Sequence, residues 1–369
     1  MTSNFASPRH ALPTSLFARA GLASALAAVL TLVGCARSTE LDVPPDVALP
    51  ADQSLLESCL LAGGELTLRN EVDNNDVTEH GDVISFAVSG DRLAVGTVDG
   101  VIKLWSLEGF LATLSSGSFT YGPELASAEA RDLAFLDGEI VSGDARGLVS
   151  AFQPTGEFRI LGGTTPGTSI AAVAVAPAGS PGGTRLAHAD ASEGGNLLVR
   201  ALDGDTVVGP LATELAGITD LRFAADGTLL ATGARGAGGG LERFDAAGAL
   251  LASVEDTGVV RALDTAGDVV AAVTGETLSF YDDGLALRGR IRTEAHAPLG
   301  VALSAHGHVA FTVGADETLV AWSTATGELL ASVEVPAALL VDTTPDADTA
   351  FVAARDGRLR AYGCSAPAP

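Results

Sequence analysis

The stretch "FAVSGDRLAVGTVDGVIKLWSLEGFLATL" (Phe86 to Leu114) holds two alternating apolar runs, a turn, a third run ending at Trp105, a second turn and a fourth run. Apolar residues at every second position mark strands with one packed face, and Gly and Asp between them supply the backbone angles of tight turns. Four short strands in sequence form an antiparallel meander. One meander cannot cover its own faces, so the fold depends on whether the pattern recurs.

It recurs six times. "LAFLDGEIVSGDARGLVSAFQPTGEFRIL" ends its third run at Phe152, and "LRFAADGTLLATGARGAGGGLERFDAAGALLASV" ends its own at Phe244. Three later units place Tyr281, Trp322 and Tyr362 at the same point. A weaker copy between the second and fourth units has lost the aromatic and has Ala201 or Leu202 there. Trp105 and Tyr362 stand 257 residues apart over six periods. The mean of about 43 lies within the roughly 40 to 45 residues of a four-stranded propeller blade. The repeat aromatics are expected to fill the space between neighbouring blades.

From about Gly64 to Cys364 the chain resembles the tryptophan-aspartate (WD) repeat family, most closely at "DGVIKLW" (Asp99 to Trp105) and "AADGTLLATG" (Ala224 to Gly233). Asp99, Asp316 and Asp356 each stand six residues before their aromatic, where the family places the acid of a tight turn between a blade's second and third strands. Asp226 with Gly227 matches the turn between first and second strands. The expected fold is all-β: a seven-bladed propeller of four-stranded antiparallel blades. The chain also departs from the family. The loops lack the Gly-His pair, Trp105, Phe152 and Trp322 are followed by Ser106, Gln153 and Ser323, and only Phe244 and Tyr281 are followed by an acid, Asp245 and Asp282. The family's Trp-Ser-His-Asp hydrogen-bond network is therefore expected to be absent, which points to a degenerate WD-like group.

The last unit lacks an outer strand: after runs near Ala338–Asp342, Ala350–Ala354 and Arg358–Gly363 the chain ends in "SAPAP". "GELTLRN" (Gly64 to Asn70) has no other partner and is expected to close the ring against Arg358–Gly363. That pairing brings Cys59 beside Cys364, an even pair suited to a disulfide in an exported protein; the alternative is two independent thiols.

Export is expected from the N-terminus. Arg9 and Arg19 precede the uncharged run "AGLASALAAVLTLV", which is shorter than the about 20 residues of a membrane span and fits a signal peptide. The run ends in Leu32, Val33, Gly34 and Cys35, and resembles the lipobox of bacterial lipoproteins. The resemblance implies cleavage after residue 34 and acylation of Cys35, with acyl chains contributing about 0.8 kcal/mol per buried methylene. Ala36 stands where the family's inner-membrane retention signal has Asp, which favours the outer membrane over the inner. Residues 35–58, acidic and holding Pro44, Pro45 and Pro50, are expected to be an extended tether, reaching up to about 80 Å at roughly 3.3 Å per residue. The propeller is then expected over 59–365, with 366–369 as a disordered tail.

Removing residues 1–34 deletes two arginines and no acid, taking the formal charge from −25 to −27. Such a surface repels nucleic acid and anionic headgroups and favours a partner with a basic patch. Catalytic signatures are missing. Histidines 80, 188, 296, 306 and 308 are scattered, with "HGH" at 306–308 reading as a turn, and there is no Gly-x-Ser-x-Gly, Cys-x-x-Cys or His-Glu-x-x-His. "GARGAGGG" (Gly233 to Gly240) reads as an enlarged loop and not a phosphate cradle, because no helix follows it. "EVDNNDVTEHGD" (Glu71 to Asp82) is acidic, but Val77 and Thr78 break the EF-hand spacing. The reading is a non-enzymatic, monomeric, lipid-anchored platform without cofactor or metal, binding an envelope protein through loops including Asn74–Asp82, Arg146, Arg235–Gly240 and Glu317. The alternative is a propeller enzyme or redox protein with a metal or quinone near a central channel.

Overall fold

The computed structural model describes residues 54–72, 82–90, 92–106, 119–120, 128–155, 157–164, 167–192, 194–202, 207–256, 258–343 and 349–366. All lie within the unit Arg37–Pro369. A short helix, α1 (Leu55–Leu61), leads into β1 (Glu65–Val72). Blade 1 contains β2 (Val83–Ser89), β3 (Arg92–Thr97), β4 (Ile102–Ser106) and β5 (Phe119–Thr120), and blade 2 contains β6 (Ala130–Leu136), β7 (Glu139–Asp144), β8 (Leu148–Phe152) and β9 (Phe158–Gly163). Blade 3 has β10 (Ile170–Val175), β11 (Arg185–Asp190), β12 (Leu197–Ala201) and β13 (Val207–Leu211), and blade 4 has β14 (Ala216–Phe223), β15 (Leu229–Arg235), β16 (Gly238–Phe244) and β17 (Leu250–Asp256). Blade 5 is built from β18 (Ala262–Ala266), β19 (Val269–Val273), β20 (Thr277–Tyr281) and β21 (Leu287–Arg292), and blade 6 from β22 (Pro298–Leu303), β23 (Val309–Gly314), β24 (Thr318–Ser323) and β25 (Leu329–Glu334). Blade 7 takes β26 (Ala338–Thr343), β27 (Ala350–Ala354) and β28 (Leu359–Ser365) from the end of the chain.

Each blade is a four-stranded antiparallel sheet, and blade 7 is completed by β1 in the order β1-β28-β27-β26. Glu65 pairs with Ser365 and Val72 with Leu359, so the N-terminal strand closes the ring, as the missing outer strand of the last unit required. The first strands of successive blades touch in turn, with β26 returning to β2. They therefore line the centre, and each blade's fourth strand forms its rim. Turns from first to second and third to fourth strands share one face, and the remaining loops share the other.

Burial follows this layering. The second and third strands of blade 5, "VVAAV" and "TLSFY", are buried throughout, while the rim strand "LLASVED" of blade 4 alternates. Sheets covered on both sides read as continuous apolar runs and half-covered ones alternate. The buried apolar residues form seven clusters, and each joins two neighbouring blades, for example Ala272 and Tyr281 of blade 5 with Leu230 and Leu241 of blade 4. Trp105, Phe152, Phe244, Tyr281, Trp322 and Tyr362 are all buried in these interfaces. With few aromatics available, Ala and Val fill the rest of the roughly 10 Å between sheets.

The fourth run of the opening stretch, ending at Leu114, lies outside the described residues; among these, Phe119–Thr120 pairs with Lys103 and Leu104. Two expectations are corrected. "GARGAGGG" is not an enlarged loop, because Gly233, Ala234 and Arg235 pair with Gly240, Gly239 and Gly238 in a tight hairpin turned at Gly236 (φ 57°). The glycines are there for close approach: a side chain at Gly239 would collide with the backbone of Gly258 and Val260. Finally, residues 54–58 are not tether. Ser54 caps α1, its hydroxyl accepting from the Glu57 N–H (3.2 Å) while the Glu57 carboxylate accepts from the Ser54 N–H (2.7 Å), a reciprocal capping box.

Candidate functional site

The expected turn acids occupy turns. Asp316 accepts from the N–H and hydroxyl of Thr318 (3.2 and 2.8 Å), Asp226 likewise from Thr228 (2.9 and 2.7 Å), and Asp356 from the Arg358 N–H (3.1 Å). Asp99 lies exposed between β3 and β4. Sequence reasoning missed Asp144, which takes the Arg146 and Leu148 N–H groups, and Asp190, which takes those of Ser192 and Asn196. Both follow the same Asx-turn logic and were legible as acids at the end of a second strand.

In blade 6 the structure overturns the expected absence of the hydrogen-bond network. Trp322 Nε1–H donates to Thr312 Oγ1 (2.9 Å), His296 Nε2 meets the same hydroxyl (2.8 Å), and His296 Nδ1 meets Asp316 (2.9 Å). Thr312 stands in for Ser, and Ala295-His296 for Gly-His. The histidine was hidden by its preceding residue, since only its side chain joins the network. This is a structural clamp, with His296 and Thr312 buried.

Residues expected to contact partners are not brought to one spot. Arg146 is exposed on blade 2 and paired with Asp144 (3.2 Å). Arg235 on blade 4 pairs with Glu214, and Glu317 sits exposed at the tip of blade 6 with φ 60°. All three lie on the face of the second-to-third-strand turns. Of Asn74–Asp82, only Asp82 is among the described residues.

The opposite face carries the central cavity, about 730 Å³, lined by first strands of all seven blades and by several of the turns that follow them. The clearest electrostatic feature of the molecule sits on its wall. Asp132, Asp220, Asp264 and Asp342 each take an N–H from the next blade, from Val173 (2.7 Å), Leu263 (3.0 Å), Leu303 (2.6 Å) and Val88 (2.9 Å) respectively. Each also takes the N–H of the following residue in its own strand, Leu133, Leu221, Thr265 and Thr343. Arg222 lies among them, 2.9 Å from Asp220 and 4.0 Å from Asp264. Solvent entering the cavity reaches Arg222, whose side chain is 38% exposed, while Asp220 is buried.

Burial pushes Asp132 up to about 7, with Asp220 adding to the shift and Arg222 opposing it. Asp342 is likewise pushed up to about 7 by burial and then by Asp264, again against Arg222. Burial also raises Asp220 and Asp264, with Arg222 opposing. For Arg222 itself, burial works against the charge, but the four carboxylates outweigh it and raise its pKa. Other junctions are stitched differently: Ser85 donates to the Ala130 carbonyl (2.5 Å), and buried Arg185 donates to the Gly227 carbonyl (2.5 Å) while covering the Phe223 ring at 5.1 Å.

Among the described residues no group of three or more His, Cys, Asp or Glu side chains has metal-binding geometry. His188, His296, His306 and His308 belong to blades 3 and 6 and do not line the cavity. What the geometry provides is a rigid ring presenting loops on two faces.

The family model described as "WD domain, G-beta repeat" matches residues 75–106, about one blade. A chain in the crystal structure of the mitotic checkpoint complex matches with TM-score 0.63 and 14% identity, over 88% of this chain and 97% of that one. Because 1662 solved chains match, likeness of fold does not single out a function. No curated protein matches the chain. The sequence match covers one repeat and the structural match shows likeness of fold over most of the chain.

Proposed function

We propose that this chain is a non-catalytic, monomeric interaction platform, held by a lipid on Cys35 in the bacterial cell envelope, at the outer membrane in preference to the inner, and binding an envelope protein that bears a basic patch. The observation that carries the reading is the ring closed at its own termini: β1 completes blade 7, and a disulfide joins Cys59 to Cys364. A rigid scaffold with function in its loops is the usual use of this architecture. The formal charge supports a basic partner. The anchor rests on the Leu32-Val33-Gly34-Cys35 pattern.

The face that meets the partner follows from where the chain enters the fold. The Glu57 carboxylate accepts from the Ser304 hydroxyl (2.5 Å) and the His306 N–H (3.1 Å), both in the first turn of blade 6. Helix α1, and with it the point where the anchored segment arrives, is therefore fixed to the face holding the central cavity. The opposite face, with Arg146, Arg235 and Glu317 at its tips, is left for the partner.

The test is affinity purification of the tagged protein after cross-linking in cells, beside Cys35→Ala and a triple variant of exposed acids on that face, Glu214→Ala, Glu255→Ala, Glu317→Ala. An envelope protein enriched with the native chain, reduced with Cys35→Ala and lost with the triple variant is the expected result. If all three chains enrich the same proteins, or none, the platform reading fails.

A further inference from the structure

The platform reading makes no use of the charged wall of the cavity, and the fold does not require this much charge there. If all four carboxylates were ionised, the single Arg222 would leave three negative charges uncompensated. Its contacts reach Asp220 and Asp264, whereas Asp132 and Asp342 are held by backbone N–H groups of neighbouring blades. The remaining inner strands offer no relief. β2 (VISFAVS), β10 (IAAVAV) and β22 (PLGVAL) contain no charged residue, and Arg131, the other cation on β6, is turned outward onto Glu129. The groups facing Asp132 and Asp342 are thus Asp220, Arg222 and Asp264.

We propose that this ring is a proton-operated latch: Asp132 and Asp342 carry protons in the native propeller, and losing them loosens the junctions of blade 2 with blade 3 and of blade 7 with blade 1. Each of the two carboxyls accepts the N–H of the next blade on one oxygen and that of its own strand on the other, so a proton on the second oxygen leaves the carbonyl oxygen to keep the bond between blades. The ionised form keeps both bonds at full strength but adds negative charge where one cation is already shared.

The direction of the pH dependence follows. Both groups are pushed up to about 7, above the roughly 3.9 of an unfolded aspartate. Their contribution to stability is therefore complete below about 4, falls as the pH rises through about 7, and is flat above that. Buried His188, held down to about 4 by burial and then by Arg200, acts in the opposite sense, because the unfolded chain binds its proton more readily. The latch concerns blade junctions and stands whether or not the platform reading does.

The experiment is calorimetric melting of the purified protein between pH 5.5 and 8.5, beside the double variant Asp132→Asn, Asp342→Asn, in which amides imitate the neutral acids. The native chain is expected to melt several degrees lower at pH 8.5 than the variant, with the gap closing toward pH 5.5. The same pH profile in both proteins, or a variant less stable at every pH, overturns the latch. Should the variant not fold, infrared difference spectra of the native protein decide: a protonated-carboxyl band at pH 6 that disappears by pH 8.5 is expected, and its absence at pH 6 refutes the proposal.

Discussion

Glu57 shows how much one residue can settle. It is fully buried, which by itself would raise its pKa, yet hydrogen bonds from Ser304, Ser54 and His306 outweigh burial and hold it down to about 2. One carboxylate thus caps a helix and fastens it to blade 6. Because its pKa is lowered, its contribution is present above the unfolded value of about 4.3 and disappears as the pH falls toward 2. Glu57→Gln keeps an acceptor but loses the charge, so it should cost about 2 kcal/mol at pH 7. That deficit should shrink steadily between pH 4 and 2.5 in urea titrations. The capping box was written in the sequence as "SLLE", but it lay at the end of an acidic, Pro-containing linker. Only the position of blade 6 reveals that the helix has something to pack on, with Leu56 and Leu60 buried against blades 6 and 7.

At the scale of elements, the closing strand was legible because a four-strand repeat that ends after three strands needs a partner, and one unassigned strand remained. The disulfide follows from it, with Cys59 and Cys364 at a Cα separation of 6.0 Å. Gly64 makes the crossing possible, since a side chain there would overlap both sulfurs. The bridge spans 305 residues, for which the chain-entropy model assigns about 6 kcal/mol. A variant with Cys59→Ser and Cys364→Ser should lose up to that amount under oxidising conditions. With dithiothreitol present, it and the native chain should unfold at the same denaturant concentration. The hairpin of blade 4 was misread for the converse reason: a glycine run has no side-chain pattern, so its pairing is decided by the neighbouring backbone it must approach.

For the whole molecule, stability is shared among seven interfaces, each built from two blades. No blade can satisfy both of its faces alone. Removing residues 1–72 would leave blade 7 with three strands and the β28 edge open, and unpaired edges recruit other chains. Such a truncated protein should elute as aggregates in size-exclusion chromatography, and the native chain should not.

The sequence by itself determined the number of blades, their strand order, the closing strand and the cysteine pair. These depend on period, alternation and turn chemistry, which are local properties repeated along the chain. Only the tertiary structure decided that His296, Thr312, Trp322 and Asp316 meet in blade 6, that α1 is clamped by Glu57, and that four aspartates and Arg222 share one channel wall. Asp132, Asp220, Asp264 and Asp342 are separated by 40 residues or more in the chain, and each alone reads as an ordinary polar position within a strand. Their charges interact because ring closure brings the inner strands around one axis, an effect that no local pattern encodes.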